Sequence, residues 1–90
     1  MAWSVEFDPA AAAELDELDP TNARRILKFL FERLQNLDDP RSIGEALNGK
    51  RLGMFWKYRV GDYRLICDIQ DAKLCVLVVR IGNRREVYRQ

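Results

Sequence analysis

Three cations crowd into one short stretch of this chain: Lys57, Arg59 and Arg64, within Trp56-Lys57-Tyr58-Arg59-Val60-Gly61-Asp62-Tyr63-Arg64. Alternating runs flank Gly61-Asp62, and glycine followed by aspartate between such runs predicts a two-residue hairpin turn with glycine at the position that needs positive φ. The register follows from the turn: Val60 faces Tyr63, Arg59 faces Arg64 and Lys57 faces Ile66. Successive side chains alternate faces, so Lys57, Arg59 and Arg64 share one face while Trp56, Tyr58 and Val60 turn to the other as core. Directly opposed like charges destabilise a strand pair, and a chain that keeps two arginines opposite each other has a use for them. We read the cationic face as an anion site, for a phosphodiester.

Other chemistries are poorly supplied. The chain has no histidine, which removes the commonest general acid or base. Its two cysteines, Cys67 and Cys75, lack a metal-ligand spacing and read as small buried hydrophobes. Ninety residues, 48% hydrophobic and 32% charged, make one soluble globular domain, 1–90, with a modest core. No apolar run approaches the roughly 20 residues of a membrane helix, and the start Met-Ala-Trp-Ser-Val-Glu lacks the regions of a signal peptide. The expected location is cytoplasmic, with no membrane partner. Net charge is +1, but residues 1–49 hold five Lys/Arg against ten Asp/Glu, and residues 50–90 hold ten against four. That asymmetry suits a polyanion partner for the basic half, and equally two solvated faces of opposite sign.

The elements that must position the cations are legible as patterns. Residues 3–7 alternate and predict a strand with Trp3, Val5 and Phe7 inward. Asp8-Pro9 caps a short helix over Ala10–Leu18 with Ala11, Leu15 and Leu18 on one stripe, ended by Asp19-Pro20. A second helix starts at Thr21 or Asn22 and runs to about Asn36, with Ile26, Leu27, Leu30, Phe31 and Leu34 as its apolar face. The helix pair carries much of the acidic charge, which predicts a side that repels a polyanion. Residues 37–50 form a connector with room for one helical turn, anchored by Leu47. From Arg51 the period becomes two, and Arg51–Val60, Tyr63–Gln70 and Lys73–Ile81 predict three consecutive antiparallel strands. The fold class is α+β, in the order β-α-α-β-β-β, with a helical hairpin covering one face of a small antiparallel sheet. The first strand joins that sheet at an edge or in the middle. The last ten residues leave the sheet through Gly82, near the Arg59/Arg64 end of the hairpin.

The order of elements, Leu47-x-Gly49, the Trp56–Leu65 hairpin and the ending Gly82-Asn83-Arg84-Arg85-Glu86-Val87-Tyr88 resemble the RelE/ParE superfamily of toxins from toxin–antitoxin pairs. Within it the chain is similar to the RelE branch. The resemblance implies a metal-independent, cofactor-free endoribonuclease, an mRNA interferase that cleaves mRNA in the ribosomal A site and so inhibits translation. In that reaction the 2′-hydroxyl attacks the adjacent phosphate, leaving a cyclic phosphate and a free 5′-hydroxyl. Carried over by position, Lys57 falls on an active-site lysine, Arg59 on a second basic position, and Arg64 on a phosphate-binding arginine. Arg84 falls on the arginine assisting the leaving group, and Tyr88 on the tyrosine that stacks on or orients the substrate. Guanidinium groups stabilise the charge that develops on the nonbridging oxygens. A lysine crowded by arginines has its ammonium form disfavoured, which makes Lys57 the first candidate for the base and Tyr88 the second. Arg59 stays protonated and takes no such role. Asn83 stands where some relatives have histidine.

Lys50, Arg51, Arg80 and Arg85 are expected on the backbone of small-subunit rRNA. The family also implies a RelB-like antitoxin, acidic where it crosses Lys57–Arg64 and adding a strand and a helix to the body. Two other readings share these features: a gyrase-inhibiting toxin of the ParE branch, and a non-catalytic RNA-binding module.

Overall fold

The computed structural model describes residues 3–47 and 55–83. Its frame is a five-stranded mixed sheet in the order β1-β5-β4-β3-β2. The strands are β1 (Ser4–Phe7), β2 (Glu45–Ala46), β3 (Trp56–Val60), β4 (Tyr63–Gln70) and β5 (Cys75–Asn83). Strand β1 takes the edge position and runs parallel to β5, whereas every other pairing is antiparallel. Two helices, α1 (Pro9–Asp16) and α2 (Pro20–Lys28), separate β1 from the rest.

Asp-Pro pairs punctuate this half of the chain. Asp8 accepts from the Ala10 amide at 3.0 Å, and Asp19 accepts from the Asn22 amide at 3.2 Å and its side-chain amide at 2.7 Å. Each proline then occupies a first-turn position with no amide to leave unpaired. Asp19-Pro20 therefore opens the second helix as much as it closes the first, one or two residues earlier than the expected Thr21 or Asn22. Asp39-Pro40 repeats the device at a 3₁₀ turn, Pro40–Ile43.

Ile26, Leu30 and Leu34 are fully buried, and they meet Leu65, Cys67, Val76, Val78 and Ile81 from the sheet. Phe31, expected on that stripe, is 41% exposed. It shares an open surface with Leu27, one turn earlier. Beyond Lys28 the chain widens into a π-helical turn, Phe29–Leu34, closed by the Gln35 amide on the Leu30 carbonyl at 2.9 Å. Within this turn Phe29 packs on Tyr58, ring centroids 5.8 Å apart.

The connector is clamped from three sides. Trp3 Nε1 donates to the Asp38 carbonyl at 3.2 Å, the buried Tyr58 hydroxyl donates to the Pro40 carbonyl at 2.7 Å, and Arg41 grips Asp71 with two bonds of 3.0 and 2.6 Å. Gly44 lies so close to the Tyr58 ring that a Cβ there would sit 2.8 Å from Cε1. Tyr58→Phe strands the Pro40 carbonyl and is expected to lower stability by about 1–3 kcal/mol, read from the urea midpoint. The Arg41 guanidinium holds the Asp71 carboxyl below its ordinary value of 3.8. A lowered carboxylate pKa stabilises above the unfolded value and is lost as pH falls through the folded one. The difference in thermal midpoint between wild type and Asp71→Asn is therefore expected to hold at neutral pH and to vanish on acidification below 3.8.

At the strand ends the structure departs from the periodicity. Asp71–Lys73 is a 3₁₀ turn and Leu74 is left-handed at φ 49°, so β5 begins at Cys75, two residues after the predicted Lys73. It continues past Ile81 through Gly82, which pairs with Arg64, to Asn83. Glycine here is part of the ladder and not its exit. A bulge at Val79 lets Ile66 pair Arg80 while Cys67 pairs Val78. Cys67 and Cys75 are buried and free, and burial pushes both thiols up. The first residues of the predicted strand Arg51–Val60, residues 51–54, lie outside the described residues.

Candidate active site

The hairpin has the register that its turn chemistry predicts. Lys57 pairs Ile66, Arg59 pairs Arg64 and Val60 pairs Tyr63, with Gly61 at φ 60° in the turn. A branched or bulky side chain is strained at that φ. Tyr58 and Val60 are buried on the helix side. Lys57, Arg59 and Arg64 line one cleft of about 190 Å³ together with Phe29, Arg33, Ile43 and Glu45. Drug-sized ligand pockets run to about 300–1,000 Å³. A cleft smaller than these suits one group of a longer molecule laid across the surface.

Arg64 is only 8% exposed. Among the described residues its guanidinium makes one hydrogen bond, from Nη1 to the Tyr63 carbonyl at 3.2 Å. A guanidinium carries five donors, and a buried cation without a counter-ion is costly. No buried donor is left without a partner among the described residues, so the remaining donors open onto the cleft, where an anion can take them. Arg59 is exposed and has no ion-pair partner among the described residues. Lys57 Nζ lies 3.2 Å from Glu45 Oε2, a carboxylate whose side chain is 76% exposed. With Arg33, the lining comprises four cations against one carboxylate.

Strand β2 is what delivers Glu45: it pairs with Lys57 across the ladder, and Ala46 pairs with Trp56. Sequence reasoning missed this strand, because two residues are too short for an alternation to register. Arg33 and Phe29 were also missed as lining. They are four apart, and Arg33 sits over the Phe29 ring at 6.0 Å, a spacing that also occurs by chance on any helix.

Arg80 is placed away from this cleft. Both Nε and Nη2 bond the Glu14 carboxylate, at 3.0–3.2 Å, and the Ile81 amide donates to the same group at 2.8 Å. A guanidinium so engaged ties α1 to β5 and is not offered to an rRNA backbone, contrary to expectation. Arg84 and Tyr88 of the expected catalytic set, and Lys50, Arg51 and Arg85 of the expected RNA contacts, lie outside the described residues. Strand β5 does bring the chain beside the cleft, since Gly82 pairs Arg64 and Asn83 pairs Tyr63.

Residues 5–88 match the family model described as the ParE toxin of type II toxin–antitoxin systems. The toxin RelG of Mycobacterium tuberculosis is 30% identical over 90 residues, the full length of both chains. The mRNA interferase toxin RelE of Escherichia coli is 33% identical over 92 residues, covering all of this chain and 94% of its own. Among solved structures, the RelBE2 toxin–antitoxin complex of M. tuberculosis superposes with a TM-score of 0.84 at 27% identity, covering 96% of this chain and 95% of the other. The isolated RelE toxin of E. coli gives 0.72 at 28% identity over 97% and 92%.

Proposed function

This chain belongs to the RelE/ParE superfamily of toxins and is of RelE type, and from that premise we propose that its cleft cleaves mRNA on the ribosome by 2′-hydroxyl attack, without a metal. The single observation that carries the reading is the buried Arg64, with unspent donors, in one small cleft with Lys57 and Arg59. In-line attack at a phosphodiester adds negative charge to the nonbridging oxygens, and Arg64 and Arg59 are fixed cations aimed at that charge. Arg84, by the family's pattern, neutralises the leaving 5′-oxygen, and Tyr88 orients the base.

Proton transfer falls to the Lys57–Glu45 pair. A carboxylate 3.2 Å from the ammonium favours the charged lysine, which opposes its use as a free amine. In our proposal Glu45 accepts the 2′-hydroxyl proton, and Lys57 gives a proton to a nonbridging phosphate oxygen, from which it passes to the leaving 5′-oxygen as the free hydroxyl departs. The surrounding body is held on small-subunit rRNA. A RelB-like antitoxin silences the toxin; the support is that similar solved structures include toxin–antitoxin complexes of RelE-type toxins.

The matching family model carries the name of the ParE toxins, so gyrase is the second target to test. Purified protein is added to a translation reaction and, separately, to gyrase with supercoiled DNA. Cut mRNA within ribosome-bound codons is expected, with DNA unaffected. Trapped gyrase–DNA complexes beside intact mRNA would overturn the proposal.

A further inference from the structure

The helix pair does not present one acidic side. Its carboxylates gather on and after α1, at Glu14, Asp16, Glu17 and Asp19, whereas α2 and the turn after it carry Arg24, Arg25, Lys28 and Arg33. A second depression, of about 370 Å³, adjoins the cleft and is lined by Arg25, Lys28, Arg33 and Arg59, with Glu32 as its one carboxylate. Arg33, Arg59 and Phe29 line both depressions, so the two form one continuous path.

Local structure explains the alignment. Arg25 and Lys28 are three residues apart and share a helix face. The π-helical turn stacks residues about five apart, which carries the face on from Lys28 to Arg33. Arg25 lies against the hairpin turn: its Nη1 is 2.9 Å from where a Cβ on Gly61 would be. Glycine at 61 thus serves the turn and also admits the guanidinium. Arg25, Lys28, Arg33 and Arg59 are all exposed, and none has a carboxylate partner among the described residues. Arg41 and Arg80, by contrast, are both ion-paired. Four unspent cations in a row beside a phosphodiester cleft are suited to a continuing sugar–phosphate backbone and not to a single small anion.

We propose that this groove is a second backbone subsite: the RNA strand whose reacting phosphate rests on Arg64 continues past Arg59, and Arg25 and Lys28 hold its flanking phosphates. The inference rests on the cleft being the RNA site. Its test uses RNA made uncleavable by a 2′-deoxy substitution, as a short oligomer of about four nucleotides and a long one of about twelve, within the range of single-strand site sizes. Binding is followed by fluorescence anisotropy across a salt series for wild type, Arg25→Gln/Lys28→Gln and Arg64→Gln. The double variant is expected to weaken the long oligomer several-fold, to lower its salt slope by about 1.4 at about 0.7 per phosphate contact, and to leave the short one unchanged. An unchanged slope for the long oligomer, or equal weakening of both lengths, overturns the subsite while Arg64→Gln still weakens the short oligomer. If Arg64→Gln leaves both lengths at wild-type affinity, the cleft reading falls and the subsite falls with it.

Discussion

Arg64→Met is expected to lower mRNA cleavage by about 10²–10³-fold while leaving the folded protein at least as stable as wild type. The two halves of that result have one cause. Arg64 is a buried cation whose donors are mostly unspent within the described protein. Replacing a poorly compensated buried charge by an apolar side chain of similar volume is often neutral or stabilising by about 1–4 kcal/mol. The same charge is what the transition state of phosphodiester cleavage requires. A residue kept at a cost to stability and needed for rate is the signature of a functional site. Cleavage of ribosome-bound mRNA and the urea midpoint are measured on the same preparation. A variant that is strongly destabilised but retains its per-molecule rate would mean that Arg64 is structural.

The second large effect is expected at the Lys57–Glu45 pair. Lys57→Ala and Glu45→Gln should each lower cleavage by about 10²–10⁴-fold, the range for a positioned proton-transfer group. Only the Glu45 variant tells the two candidate bases apart. If the neutral amine of Lys57 were the base, Glu45→Gln would remove a carboxylate that stabilises its ammonium. Activity at neutral pH would then rise. The sign of the Glu45→Gln effect therefore decides between the two bases, independently of its size.

How much of this was readable in the chain can be argued residue by residue. The hairpin was, because Gly61-Asp62 dictates a turn type and the turn dictates a register; Arg59 opposite Arg64 follows with no tertiary information. The order of elements and the inward face of the helices were also legible from apolar spacing. Glu45 was not, since β2 exists only through pairing with Lys57 and Trp56 and leaves no period of its own. Arg80 was misjudged because its partner Glu14 is 66 residues away, a contact that topology alone creates. The helix pair was misjudged for a different reason: summing its charge hid the segregation of acids onto α1 and cations onto α2. The π-helical turn is invisible to spacing, as Ile26, Leu30 and Leu34 fit an unbroken α-helix equally well. That turn is what brings Arg33 to the cleft.

Mapping the 5′ ends of mRNA by primer extension, in a purified translation reaction with wild type and with Arg64→Met, bears most directly on the central claim. New ends are expected inside codons held by the ribosome, present without added divalent metal beyond what the ribosome needs and absent with the variant. Intact mRNA with wild type, or the same ends at the same yield with Arg64→Met, would contradict it.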